Sequence, residues 1–112
     1  RNINENKYKS VIKITKIDEI INSKSLKENF LIEEDGFNLS GGERQRIILA
    51  RALLKESNYL LIDEALSEVD YNLEKNIVLN LFKYYKNKTI IYVSHKKEIE
   101  KLFNKKIILE KE

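Results

Sequence analysis

The chain has 112 residues, of which 42% are hydrophobic and 35% are charged, an ordinary composition for one small globular domain or a part of a larger one. It contains no cysteine, which excludes a disulfide framework and a thiolate metal site, and no apolar run approaches the roughly 18 residues of a membrane-spanning helix. The net charge is +3, but lysines and glutamates are interleaved along the whole chain. This pattern is typical of a solvated surface, so no nucleic-acid partner is expected.

The first half of the chain is predicted to be helical. Apolar residues recur at helical spacing from Tyr8 to Ile21, with a break at Lys16, and predict a short helix there. An acidic cluster over Glu33–Gly36 is typical of an exposed loop. A second helix is predicted from Gly42 to Lys55.

Two adjacent glycines open this second helix. Ser40 and Glu43 fit the capping box, in which each side chain satisfies a backbone donor at the helix start. A cap alone does not account for Gly41 and Gly42, each of which costs up to about 1 kcal/mol relative to alanine. Glycines at a helix N-terminus also let a phosphate approach the free N–H groups at the positive end of the helix dipole. The motif therefore has two interpretations, an ordinary cap and a phosphate-binding turn.

The same helix carries a basic row. Arg44, Arg51 and Lys55 fall on one side at offsets of seven and four residues. We interpret this row as a solvated or interdomain face rather than a nucleic-acid track.

Strands and helices are predicted to alternate in the second half of the chain. The apolar run before Asp63 and Glu64 is typical of a parallel strand covered on both faces. Asp70 is placed to cap the next helix. The predicted elements are a strand at Tyr59–Ile62, a helix from Asp70 to Tyr85, a strand at Thr89–Val93, a short polar helix within Ser94–Phe103 and a strand at Ile107–Leu109. This alternation predicts an α/β fold with a parallel sheet.

Three polar residues follow the first two predicted strands. Asp63 and Glu64 come after the first strand and His95 after the second, at the sheet edge where ligands bind in open parallel sheets. Successive residues of an extended chain point to opposite sides, so the two carboxylates cannot do the same job. A phosphoryl-transfer site needs a carboxylate for Mg²⁺ and a group that orients the attacking water. We assign Asp63 to magnesium and Glu64 to water; the alternative is an acidic strand end and a surface histidine.

The order of these motifs resembles that of the ATP-binding cassette (ABC) ATPases. Leu39–Glu43 is similar to the signature loop of that family, Leu60–Glu64 to its Walker B strand with the catalytic glutamate, Ser67–Asp70 to its D-loop, and His95 to its switch histidine. The helix over Gln45–Leu54 is similar to that of membrane transporters rather than to chromosome-maintenance or repair ATPases. The resemblance implies ATP and Mg²⁺ as cofactors. It also implies catalytic roles for Glu64 and His95, a metal-binding role for Asp63, and cofactor contacts from Ser40, Gly41, Gly42, Glu43, Ser67 and Asp70.

The sequence departs from the family pattern at several positions. Glu43 stands where the family most often has glutamine, and Glu68 and Val69 replace the usual Ala-Leu of the D-loop. No glycine is followed by lysine, so these 112 residues lack the phosphate-cradling G-x-x-x-x-G-K-[ST] loop. The chain thus resembles the second half of a nucleotide-binding domain. Residues 1–57 correspond to part of the helical subdomain with the signature helix, and residues 58–112 to the C-terminal part of a RecA-like parallel-sheet ATPase core.

The resemblance also implies partners. In the family, two domains pack head to tail, and each ATP touches Walker B and the histidine of one copy and the signature of the other. The expected function is ATP-driven export across a membrane, with a peptide as one candidate cargo. A transmembrane domain is the expected partner, at the cytoplasmic face of the cell membrane, and these 112 residues are expected to be inactive alone. Two alternatives remain open: a soluble ABC ATPase acting on DNA or ribosomes, and a non-catalytic fragment that docks through its basic row.

Overall fold

A computed structural model describes residues 5–23, 39–55 and 57–105. The elements are α1 (Glu5–Thr15), α2 (Asp18–Ser23), α3 (Gly41–Leu53), β1 (Tyr59–Asp63), α4 (Tyr71–Tyr84), β2 (Thr89–Val93) and α5 (Lys97–Glu100). Strands β1 and β2 pair in parallel, with α4 in the connection between them. Helices around a small parallel sheet agree with the predicted α/β class. Within these ranges no helix is both long and apolar enough to span a bilayer.

Several predicted elements are confirmed. Strand β2 has the predicted bounds, and β1 extends one residue further, to Asp63. The Asp70 carboxylate accepts a hydrogen bond from the Leu73 N–H at 3.1 Å and caps α4, as predicted. The predicted strand at Ile107–Leu109 and the acidic loop at Glu33–Gly36 lie outside the described residues.

The prediction of one helix over Tyr8–Ile21 is wrong, because the chain breaks at Lys16. This residue adopts a left-handed backbone with φ 58°. The Lys16 N–H donates to the Lys13 carbonyl and the Ile17 N–H to the Ile12 carbonyl, both at 3.3 Å. These two bonds form a Schellman motif, which ends α1 and lets Ile17 enter the core. Glycine usually occupies the left-handed position, so the lysine gave little sequence signal for a helix end.

Arg46 anchors α3 to this break. Its side chain is buried, and Nη1 donates to the Lys16 carbonyl at 2.9 Å. Burial lowers the pKa of Arg46, and the nearby carboxylates of Glu19 and Glu43 oppose that shift. The charged guanidinium thus holds the helix with the glycine turn against the end of α1.

We expect Lys16→Gly to raise the free energy of unfolding by about 0.5–1 kcal/mol. A side chain in the left-handed region costs roughly 1–2 kcal/mol, and part of that gain is offset by the greater backbone freedom of unfolded glycine. Chemical denaturation measures the change. Lys13→Gly, on the exposed side of α1, is the matched control and should lower stability by about 1 kcal/mol. Equal losses in both variants would contradict the role of the Lys16 backbone.

Helices and sheet share a hydrophobic core. Helices α1, α3 and α4 and one face of the sheet contribute side chains to it, including Ile14, Ile47, Leu53, Ile62, Ile77 and Leu81. The core includes Leu66 and Val69 from the loop that follows β1. That loop is therefore anchored by packing on both sides of Ser67.

The apolar runs predict strands covered on both faces, which is wrong for one face, whereas the resemblance to part of a domain predicts the uncovered apolar surface that the structure shows. Ile62 is 3% exposed, whereas Tyr59 and Leu61 are 67% and 70% exposed, and Ile91 and Val93 are 51% and 41% exposed. Alternate residues of a strand point to opposite faces, so these four side chains form one apolar surface, here called the outer face. The described helices pack on the face of Ile62, which leaves the outer face open.

Candidate functional site

The structure brings two of the predicted site residues into contact. Glu64 follows β1, and its N–H donates to the Val93 carbonyl at 2.9 Å. His95 follows β2 by two residues, and its Nε2 lies 3.3 Å from Glu64 Oε2. The parallel pairing of Asp63 with Val93 places both strand ends at the same edge of the sheet. The side chains are 39% and 85% exposed, so solvent or a ligand can reach the pair.

The backbone of Glu64 is left-handed, with φ 53°. Non-glycine residues in this region cost of order 1–3 kcal/mol and tend to occur at functional sites. The conformation turns the chain out of β1 and directs the carboxylate toward His95. The strain therefore lies at the residue that the sequence assigns to water activation.

Asp63 is the last residue of β1, and its side chain is exposed. Within the described residues, no group of three or more His, Cys, Asp and Glu side chains could hold a metal ion. Mg²⁺ is commonly held by one or two carboxylates together with substrate phosphates and water. A single accessible carboxylate fits that requirement, and the metal assignment of Asp63 stays a prediction.

The glycine turn forms the predicted capping box. The Ser40 N–H donates to Glu43 Oε1 at 2.9 Å, and the Glu43 N–H donates to Ser40 Oγ at 3.2 Å. The cap interpretation is thus confirmed. The amides of Gly41 and Gly42 are not part of this box, so it does not exclude the phosphate interpretation.

A close approach of the D-loop backbone accounts for Gly42, whereas Gly41 meets only a side chain of that loop. A Cβ on Gly41 would lie 2.2 Å from Glu68 Oε1, and a Cβ on Gly42 would lie 3.0 Å from the Glu68 carbonyl oxygen. The first neighbour is the end of a flexible side chain and can move, whereas the second is backbone. Sequence reasoning missed this contact, because the two segments are more than twenty residues apart.

Gln45 joins the same two segments. Its Nε2 donates to Ser67 Oγ at 3.0 Å, and its Oε1 accepts from the Glu68 N–H at 2.7 Å. One amide group thus fixes the loop with Ser67 against the first turns of α3. Gln45 was not among the predicted site residues.

The predicted residues therefore fall into two groups of contacts, which Ser67 joins: its Oγ accepts from Gln45, and its N–H donates to the Glu64 carbonyl at 3.2 Å. Glu64 and His95 meet at the strand ends, with Asp63 adjacent in sequence to Glu64. The contacts of the glycine turn lead instead to Glu68 of the D-loop. Asp70 lies at the end of this loop as the cap of α4.

Comparison with known proteins identifies the family. A family model described as ABC transporter matches residues 2–67, more than half of the chain. The lactococcin-G-processing and transport ATP-binding protein of Lactococcus lactis subsp. lactis is 41% identical over 92 residues, 82% of this chain and 13% of that protein. The alpha-hemolysin translocation ATP-binding protein of Escherichia coli O157:H7 is 40% identical over 89 residues, 78% of this chain and 13% of that protein. The ATP-dependent lipid A-core flippase of Pasteurella multocida (strain Pm70) is 48% identical over 66 residues, 59% of this chain and 11% of that protein.

The chain spans about an eighth of the length of the first two relatives, which are 13% covered. The family match includes the glycine turn of α3 and the acidic end of β1, the two features from which the site was built. Two of the relatives are named as ATP-binding proteins, one of processing and transport and one of translocation, and the third is named as an ATP-dependent flippase. The chain belongs to the ABC transporter family and is similar to the nucleotide-binding domains of its exporters.

Proposed function

We propose that this chain is the C-terminal part of the nucleotide-binding domain of an ABC exporter, and that the complete protein hydrolyses ATP to move a peptide or protein across a membrane. The observation that carries the proposal is the 3.3 Å contact between His95 and Glu64 at the ends of two parallel strands. The names of two relatives, for lactococcin-G processing and transport and for alpha-hemolysin translocation, support a polypeptide cargo.

Glu64 and His95 have different roles in this proposal. The Glu64 carboxylate accepts a proton from the attacking water, or orients that water, as a general base does in phosphoryl transfer. His95 donates toward the Glu64 carboxylate and keeps it in a defined position. Asp63 would hold Mg²⁺, which neutralises charge on the phosphates when bound.

The glycine turn acts on the nucleotide of a second copy. The amides of Gly41 and Gly42 lie at the N-terminus of a 13-residue helix and outside its capping box, which suits them to bind phosphate oxygens. Ser40 and Glu43 keep this turn in shape. Its contacts with Glu68 of the D-loop, and not with the Glu64–His95 pair, fit a head-to-tail dimer, in which each copy contributes different groups to one ATP site.

The D-loop residues belong to the same dimer contact. Gln45 fixes Ser67 beside the glycine turn, and Asp70 ends the loop as a helix cap. Within the complete domain, the outer face of the sheet is covered by the part of the core that carries the phosphate-cradling loop. The 112 residues alone lack that loop and do not hydrolyse ATP. The complete protein works at the cytoplasmic face of the cell membrane with a transmembrane domain.

Export is tested by comparing cells that carry the wild-type protein with cells that carry Glu64→Gln. We expect one or a few polypeptides to be lost from the medium of the variant and retained in the cells, as measured by quantitative mass spectrometry. The control is Glu98→Gln, because Glu98 is an exposed carboxylate on α5 that is not among the predicted site residues. A change confined to membrane lipids would contradict the polypeptide cargo, and an unchanged medium with unchanged lipids would contradict export.

A further inference from the structure

The Lys96 ammonium group lies among three oxygens. It donates to Glu74 Oε1 and to the Val69 carbonyl, both at 2.6 Å, and to the Leu66 carbonyl at 3.3 Å. A lysine ammonium has three donors, so each donor has an acceptor here. The Glu74 side chain is 2% exposed and that of Lys96 is 28% exposed. Buried charges of this kind are normally paired, and these two pair with each other.

Glu74 is held from its other side by Tyr92. The Tyr92 hydroxyl donates to Glu74 Oε2 at 2.5 Å. Burial raises the pKa of Tyr92, and the Glu74 carboxylate raises it further, so the hydroxyl stays protonated and remains a donor. The Tyr92 ring packs against the ring of Phe103, with the ring centroids 5.3 Å apart. The carboxylate that receives Lys96 is therefore fixed in place.

Lys96 joins the two segments that carry the contacting pair. His95 directly precedes it, and Leu66 lies two residues after Glu64. The Lys96 N–H donates to Ser94 Oγ at 3.0 Å, which shapes the turn around His95. The His95 side chain is 85% exposed, so packing does not hold it, and the Glu64 side chain is 39% exposed. Their separation depends on the backbone of the two segments, which the ammonium group ties together.

We propose that Lys96, seated on Glu74, is a positioning residue that sets the distance between Glu64 and His95 by binding the loop after β1 to the end of β2. The inference rests on the proposed catalytic role of Glu64. Lys96 acts through the carbonyls of Leu66 and Val69 and has no contact with nucleotide in this role.

The test is steady-state ATP turnover of the complete protein with Lys96→Met/Glu74→Gln, a double variant that leaves no buried charge unpaired. We expect turnover to fall about 10- to 100-fold while the KM for Mg-ATP changes less than about twofold, because misplacement of a catalytic group by about 1 Å has this effect. The matched control is Lys97→Met on the exposed side of α5, which should leave both constants unchanged. Lys96→Arg in the wild-type protein keeps the charge and several donors, and its turnover should stay within about threefold of that of the wild type.

A double-mutant cycle separates positioning from a loss of folded protein. In a Glu64→Gln background, Lys96→Met/Glu74→Gln should lower turnover by less than about twofold more, because the group that it positions is already absent. Equal losses in both backgrounds would overturn the proposal, as would wild-type turnover in the double variant. If the double variant does not fold, Lys96→Gln/Glu74→Gln, which keeps two amide donors for the carbonyls and also leaves no buried charge unpaired, replaces it with the same expected cycle. Unchanged turnover in Glu64→Gln alone would instead overturn the proposed function.

Discussion

Glu64→Gln in the complete protein is expected to lower ATP turnover about 100- to 10,000-fold, the range that general base catalysis contributes. Glutamine has nearly the same shape as glutamate, and its amide oxygen can take the place of the carboxylate oxygen that lies 3.3 Å from His95 Nε2, so the geometry at the strand ends is kept. The amide has no carboxylate to take a proton from water. The affinity for Mg-ATP should stay within about threefold of that of the wild type, because the lost interaction is with the attacking water and not with the bound nucleotide.

Single-turnover hydrolysis of radiolabelled ATP measures this loss, and equilibrium binding of Mg-ATP measures the affinity. Glu98→Gln removes an exposed carboxylate of the same type from α5 and should change neither quantity. Unchanged hydrolysis in Glu64→Gln would remove Glu64 from the role that we give it. A loss of nucleotide binding in the same variant would make Glu64 a binding residue and not a base.

Gly42→Asp is expected to lower turnover about 30- to 1000-fold, the equivalent of roughly 2–4 kcal/mol of repulsion between the new carboxylate and a phosphate about 4 Å away. An acidic residue in the first turn of a helix is favourable for the helix itself. The variant should therefore fold and lose activity through charge. We expect it also to lose ATP-dependent dimerisation, measured by size-exclusion chromatography of the Glu64→Gln form, which retains bound nucleotide.

Gly42→Ala is the matched control. It adds the same Cβ, which would lie 3.0 Å from the Glu68 carbonyl oxygen, but no charge. This contact is tight, and we expect a loss of less than about tenfold from the shift that the loop must make. Equal losses in the two variants would show that the glycine serves only the close approach of the D-loop. The phosphate interpretation of the turn would then be wrong.

Local chemistry explains which elements the sequence predicted well. Strand β2 is a run of β-branched and aromatic residues between turn residues, and its predicted bounds are those of the structure. The side chains of Ser40 and Asp70 each cap a helix by accepting from the N–H three residues later. A cap is therefore recognisable from a few neighbouring residues of the sequence. The meeting of Glu64 and His95 followed from one general rule, that parallel strands end at the same edge.

Features that depend on distant contacts were not predictable in the same way. The left-handed backbone of Lys16 has no side-chain signal of its own, and its carbonyl is held by Arg46, thirty residues away. In the sequence, Lys96 stands within a polar run and resembles a surface residue. Its ion pair with Glu74 forms only because α4, which carries Glu74, packs against the end of β2.

Burial of the sheet could not be judged from its apolar runs. Such runs are typical of strands covered on both faces, yet Leu61 is 70% exposed. A strand keeps its sequence pattern whether or not the covering layer belongs to the same 112 residues.

The left-handed backbone at Glu64 bears on how this position can evolve. Glycine would adopt φ 53° without a steric penalty, so mutation to glycine is expected to raise stability by about 1 kcal/mol. The same mutation would delete the carboxylate that contacts His95. Under the role that we propose for Glu64, natural selection for activity and selection for thermal robustness oppose each other at this codon, and a search for more stable variants would select against activity here.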